Sequence, residues 1–143
     1  MDIFSSMQIS SSALSAQRTR LNVISSNLAN ANTTRTSDGG PYRKRQVVFQ
    51  SSNENFARHL NRAQQQGIQG VKVSRIQVSQ APLQTLHQPG HPDADENGMV
   101  QLPNVNTMEE MVDMMNATRS YEANASAIQA SKRMALKALE IGR

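Results

Sequence analysis

Residues 3–31, IFSSMQISSSALSAQRTRLNVISSNLANA, carry Met7, Leu14, Leu21 and Leu28 at intervals of seven. Such a repeat draws a narrow apolar seam along an α-helix, and the seam calls for a second helix to cover it. Ile3, Ile24 and Ala31 widen the stripe, whereas Ser10 and Gln17 interrupt it with polar side chains. That dilution predicts a helix that does not dimerise stably by itself. The other end of the chain has a matching stripe. Met108, Met111, Met115, Tyr121, Ala125, Ile128, Ala135 and Leu139 recur at threes and fours, the spacing of one helical face. Asp2 is placed to cap the first helix and Asn32 to end it, while Thr107 and Glu110 read as a capping box and Gly142 as the residue just past the last helix.

Composition limits what lies between. The chain has 143 residues, of which 37% are apolar, and its aromatic residues are Phe4, Tyr42, Phe49, Phe56 and Tyr121. A large aromatic core is impossible. A compact globule of this length would be roughly 37 Å across. A helix over residues 3–30 would run roughly 42 Å and one over 107–141 roughly 52 Å. Neither fits inside the globule, so the chain is expected to be elongated with seams left open for partners. The expected fold is therefore mainly α: long N- and C-terminal helices pairing in coiled-coil fashion around a small β or irregular insert. The boundaries fall at 1–34, 35–106 and 107–143, the two end segments forming one helical domain.

The middle reads as short strands and turns. Ser37-Asp38-Gly39-Gly40-Pro41 is a turn, and Tyr42–Gln50 reads as a strand with Arg43, Arg45, Val47 and Phe49 on one side. Residues 51–70 are polar and read as a mobile loop. Val71-Lys72-Val73 and Ile76-Gln77-Val78 alternate with opposite parity across Ser74-Arg75, which predicts a bulge, and the two runs are expected to pair with each other. Four prolines, Pro82, Pro89, Pro92 and Pro103, make 81–106 look extended and irregular.

No stretch carries catalytic chemistry. Cysteine is absent, which removes disulfides and thiolate sites. Asp93-Ala94-Asp95-Glu96-Asn97-Gly98 matches the opening of a calcium loop, but the twelfth position is Asn104 instead of a bidentate glutamate, and Pro92 and Pro103 forbid the flanking helices. An Asx-rich turn explains the run better. His87 and His91 stand four apart, yet Pro89 and Gly90 break the helix that would align them as metal ligands. No serine sits in a nucleophile-elbow pattern and no glycine-rich loop follows a strand. Catalytic residues, cofactors, metals and a small-molecule substrate are accordingly not expected. The net charge is +4, and the one dense basic run, Arg43-Lys44-Arg45, reads as a solvated face and not as a nucleic-acid site. No apolar run reaches the roughly 18–20 residues of a membrane span. The start lacks the basic region and unbroken apolar stretch of a Sec-type signal peptide.

Ser26-Asn27-Leu28-Ala29-Asn30-Ala31-Asn32-Thr33 closely resembles the N-terminal signature of the bacterial flagellar rod, hook and hook-associated axial proteins. Further stretches resemble the short, proximal-rod members of that family. They are Pro41-Tyr42-Arg43 with Gln46–Gln50, Pro89–Asp95 with Gly98-Met99-Val100, Leu102-Pro103-Asn104-Val105-Asn106, Glu109–Val112, Arg119–Asn124 and Lys137–Arg143. The likeness covers about residues 1–50 and 71–143. In one departure, Thr34-Arg35-Thr36 stands where a glycine often follows the Asn-Thr motif.

The resemblance implies a structural subunit of the flagellar basal-body proximal rod that serves motility. It implies passage through the flagellar type III export apparatus without a cleaved signal, and assembly in the periplasmic space. The implied partners are copies of itself, other proximal rod subunits, a rod-base adaptor, the distal rod and the membrane-ring protein. The assembly residues are then Ile3, Met7, Leu14, Leu21, Ile24 and Leu28 with the C-terminal stripe from Met108 to Leu139. The family motif maps onto Asn27, Leu28, Ala29, Asn30, Asn32, Thr33, Pro103, Asn104, Val105 and Asn106. A soluble helical adaptor of the export apparatus would share the same seams and is the competing reading.

Overall fold

Both terminal stripes fold as helices in the computed structural model, which describes residues 3–37, 39–52 and 69–141. The chain runs α1 (Ile3–Ala29), β1 (Arg45–Ser52), β2 (Gly70–Val78), β3 (Gln84–His87), β4 (Met99–Leu102) and α2 (Thr107–Ile141). The expected caps at Asp2 and Gly142 lie outside the described residues, as does most of the loop expected at 51–70. Ser51 and Ser52 belong to β1 and Gly70 opens β2.

The mainly α, coiled-coil expectation is corrected here. Of the described residues helix makes up 50% and strand 21%, and the strands form two separate two-stranded antiparallel sheets, β1–β2 and β3–β4. Val71–Val73 and Ile76–Val78 do not pair with each other; they are one continuous strand paired with β1, from Arg45 opposite Val78 to Ser52 opposite Gly70. The bulge is present. Val48 faces Arg75 and Phe49 faces Val73, leaving Ser74 as the extra residue at the change of parity. The proline-rich segment also pairs. Pro82 and Pro89 flank β3 without interrupting it, and β3 meets β4 from Gln84 opposite Leu102 to His87 opposite Met99.

The helix pairing does not use the leucine seam as its centre. On α1, Ser10, Ala16, Val23, Ile24 and Asn27 are buried, while Met7, Leu14, Leu21 and Leu28 remain half-buried. Ser10 and Gln17, the positions that break the apolar repeat, lie in register with buried Ile24 seven residues on. They are part of the covered face. Small and polar side chains there let a second helix approach closely, which is why the polar dilution does not open the pair. Among the described elements α2 contacts α1 alone, and Ala117 and Ser131 are among its buried residues. The larger apolar side chains of α2 point elsewhere.

The β1–β2 hairpin lies against α1. Ser12 Oγ accepts the Val71 amide at 3.1 Å, and a Cβ at Gly70 would sit 2.8 Å from that same oxygen, so the strand approaches the helix more closely than any side-chain-bearing residue allows. α1 ends at Ala29, earlier than the Asn32 stop: the Ala31 and Thr33 amides turn to carbonyls three residues back, Leu28 and Asn30, at 3.2 and 3.1 Å, while Asn30 Nδ2 donates to the Ser26 carbonyl at 2.9 Å and Asn30 Oδ1 accepts the Thr33 hydroxyl. The Ser37–Pro41 region turns as expected, with Thr36 N bonded to Gly40 O at 2.9 Å.

In the β3–β4 loop, Gly98 has φ +72°, and a Cβ there would lie 3.1 Å from His87 Nε2 and 3.2 Å from Pro89 Cγ. Gly98→Ala is therefore expected to loosen this hairpin by about 1–2 kcal/mol. Hydrogen exchange at the Gln88 and Asp95 amides, which bond to the Gly98 and Met99 carbonyls, should accelerate about tenfold or more. Unchanged exchange at both would contradict the strain argument.

Candidate assembly interface and the junction that positions it

Thr107 and Glu110 do not form the capping box. The first turn of α2 is capped by Asn106, whose Oδ1 accepts the Met108 and Glu109 amides at 3.1 and 3.5 Å. That leaves the Glu110 carboxylate free to point inward, where it is 1% exposed. Its Oε2 accepts Asn27 Nδ2 at 2.9 Å and its Oε1 lies 2.8 Å from Lys44 Nζ.

Asn27 is equally buried and uses its whole amide group. Its Nδ2 also donates to the Arg45 carbonyl at 2.8 Å, and its Oδ1 accepts the Arg45 amide at 2.9 Å and the Tyr42 hydroxyl at 3.0 Å. One side chain on α1 thus grips both backbone groups of the first residue of β1 and the carboxylate of α2. A neighbouring amide extends the network. Asn104 Oδ1 accepts the Lys44 amide at 2.8 Å and Asn104 Nδ2 donates to the Ala81 carbonyl at 3.1 Å, so the approach to α2 is tied to the chain leaving β2.

The basic run is not a uniform solvated face. Arg43 and Arg45 are exposed but Lys44 is buried, paired with Glu110 and, at 3.3 Å, with Glu109. Strand alternation carried this signal, since Arg43 and Arg45 were placed on one side and Lys44 therefore falls on the other. Burial disfavours the Lys44 ammonium, but the hydrogen bond and charge of Glu110, with those of Glu109, outweigh it and raise its pKa from the usual 10.5. Lys44, Tyr42, Glu109 and Glu110 are the junction residues that periodicity did not find.

The motif residues divide by role. Asn27, Asn30, Thr33, Asn104 and Asn106 are hydrogen-bonded as described, with Thr33 O accepting the Tyr42 amide at 3.1 Å. Pro103 and Val105 are buried and Leu28 half-buried, whereas Ala29 and Asn32 are exposed. Of the expected assembly residues, Ile24 is buried within the chain. Ile3, Met7, Leu14, Leu21, Ala125, Ile128 and Ala135 are half-buried. Met108, Met111, Met115, Tyr121 and Leu139 are exposed, at 69%, 51%, 54%, 38% and 71%. Val112, Met134 and Leu136 join them outside the expected set. These exposed side chains give α2 large apolar groups in contact with solvent in the single chain.

Two further polar features are paired within the chain. Beside the junction, in the cleft between α1, β1 and α2, Arg20 pairs with Asp113 at 3.3 Å. Asp93 accepts the Thr34 hydroxyl at 2.8 Å and Asp95 Oδ1 accepts the Glu96 amide at 2.8 Å, which makes the acidic run a hydrogen-bonded turn. Among the described residues no group of three His, Asp or Glu is placed to hold a metal ion, and no helix is long and apolar enough to cross a membrane.

The chain thus joins two long helices at a buried polar junction, carries two small sheets and leaves large apolar side chains of α2 exposed. Residues 7–35 match the model of the flagella basal body rod protein family, and residues 96–141 match that of the flagellar basal body rod FlgEFG protein C-terminal region. The chain is 46% identical to the flagellar basal-body rod protein FlgC of Bacillus subtilis (strain 168), with all of both chains covered. It is 45% identical to that of Borreliella burgdorferi over 99% of this chain and 98% of the relative, and 45% identical to that of Salmonella typhimurium over 99% of each. The chain belongs to the flagellar basal-body rod protein FlgC family. It is a structural rod subunit and not an enzyme.

The junction has a measurable alkaline signature. A folded-state pKa above 10.5 means that Lys44 contributes stability fully present below pH 10.5 and lost as pH rises through the folded value. Lys44→Met should cost about 3–5 kcal/mol near neutral pH, because it strands the Glu110 charge. The gap to the parent chain should narrow above pH 10.5 in urea unfolding. A gap that stays constant through that range would contradict the pairing.

Proposed function

We propose that this chain builds the proximal part of the rod in the periplasmic space, and that its terminal helices are the polymerising element. In this reading it reaches the site through the flagellar type III export apparatus without a cleaved signal peptide. There it packs against copies of itself, other proximal rod subunits, a rod-base adaptor, the distal rod and the membrane-ring protein. α1 and α2 act as one helical domain, and the segment between them forms an outer layer. The observation that carries the reading is the apolar row Met108, Met111, Met115 and Leu139, left exposed by a helix that α1 covers on one side only. Covering such a row at about 25 cal/mol per Å² supplies the driving force for addition at a growing tip. A heterologous contact of this kind propagates a filament instead of closing a dimer.

Because Met115 and Leu139 are exposed in the single chain, Met115→Asp and Leu139→Asp should change its stability by no more than about 0.5 kcal/mol. In an assembled interface the same carboxylates would be desolvated without a partner. Cells carrying either variant should export the protein to normal levels yet fail to spread in soft agar. Normal swimming by both would remove the exposed row from the assembled rod and contradict the reading.

A further inference from the structure

We infer that Glu110, held between Asn27 and Lys44, is a register lock: it selects one axial alignment of α1 against α2 and contributes alignment more than stability. The inference deepens the assembly reading above, because a subunit can stack repeatedly only if its two helices present the same relative height every time.

Away from the junction the helix contact holds little register information. Ala117 and Ser131 of α2 are buried there, and the covered positions of α1 are Ser10 and Ala16, whereas the larger buried side chains Val23 and Ile24 lie beside Asn27 in the cleft lined by β1 and the start of α2. Side chains as short as serine and alanine give shallow relief, unlike the branched knobs that fix alignment in a leucine-rich seam. Gln17 Oε1 is buried without a hydrogen-bond partner among the described residues, so it favours no alignment over another. Among those residues, side-chain polar contacts between the helices are confined to Asn27–Glu110 and Arg20–Asp113. The second is 3.3 Å long with both side chains about a third exposed, and such pairs discriminate weakly.

Glu110 differs in kind. Its carboxylate is 1% exposed; Oε2 accepts the Asn27 amide, and Oε1, which has no hydrogen-bond partner among the described residues, is held by the Lys44 ammonium 2.8 Å away. Asn27 is fixed at its other end to both backbone groups of Arg45, and Lys44 is the preceding residue. The receptor for the carboxylate is therefore built into the start of β1 and does not travel with α2. Sliding α2 by one turn, about 5.4 Å, would carry a buried charge away from both partners and leave an ammonium and an amide unpaired. Every wrong alignment is penalised, while the right one only recovers the cost of desolvation. Replacing both charges with apolar groups should thus spare stability and release the alignment.

The test uses the full-length chain, which has no cysteine of its own, carrying spin labels at Arg18→Cys and Thr118→Cys, exposed positions on the two helices. Pulsed electron spin resonance should give one narrow distance in the otherwise unaltered chain. In Lys44→Met/Glu110→Met the thermal midpoint should be unchanged or higher, and the distance should split into populations displaced by about 5 Å. Glu110→Gln, which keeps an acceptor for Asn27 but loses the charge, should show partial splitting with its helical circular dichroism intact. A single unshifted distance in the double variant overturns the proposal. So does a double variant that loses its helical signal, since the junction would then be holding the fold together, or an unaltered chain whose distance is already broad. The measurement is made on the isolated chain, so its outcome is separable from that of the swimming assay.

Discussion

A carboxylate taken almost wholly out of water is the constraint around which this chain is organised. Glu110 cannot be buried unless two donors meet it, and the two that do come from different parts of the sequence: Asn27 from the N-terminal helix and Lys44 from the residue before β1. Because Asn27 also closes on the Arg45 backbone and the Tyr42 hydroxyl, satisfying one charge fixes where the first strand starts, where α1 ends its packing and where α2 begins. Removing any one partner leaves polar groups buried without compensation, the costliest condition in a protein interior.

What the junction fixes determines what remains available. Beyond the junction the buried helix positions are short, Ser10 and Ala16 on α1 and Ala117 and Ser131 on α2, while Met108, Met111, Met115 and Leu139 of α2 are left exposed. The aromatic-poor, half-polar composition follows from this arrangement, since a subunit of an assembly can leave to its neighbours the burial that a free-standing domain must complete alone. Both two-stranded sheets are small, and β1–β2 is held by close approach to α1 at Gly70 and Ser12 instead of by a core of its own.

The helices were legible in the sequence because a period of three and four is a strong signal over so many residues, and the bulge was legible in the parity change at Ser74. The family signature was legible as a pattern, but its meaning was not: nothing in Ser26–Thr33 by itself says that Asn27 reaches a glutamate 83 positions away. An apolar repeat marks a surface that prefers cover without saying whether the cover lies in the same chain, and here Ser10, Ala16 and Ala117 serve the internal contact. The capping box failed because Asn106 and Thr107 both suit a helix start. Only the inward demand for Glu110 decides between them. The strands were underestimated because each run is short and finds its partner across a turn or a long connection, information absent from local alternation.

The most direct test of the junction as a single cooperative unit is a double-mutant cycle between Asn27→Ala and Glu110→Ala, measured by urea unfolding of the isolated chain. If the two side chains stabilise the fold through each other, each single change should be destabilising and the pair should cost less than their sum, with a coupling of about 1–3 kcal/mol. Effects that add to within about 0.5 kcal/mol would mean that the two act independently, and would contradict the account that one buried charge and its partners fix how the helices and the first strand meet.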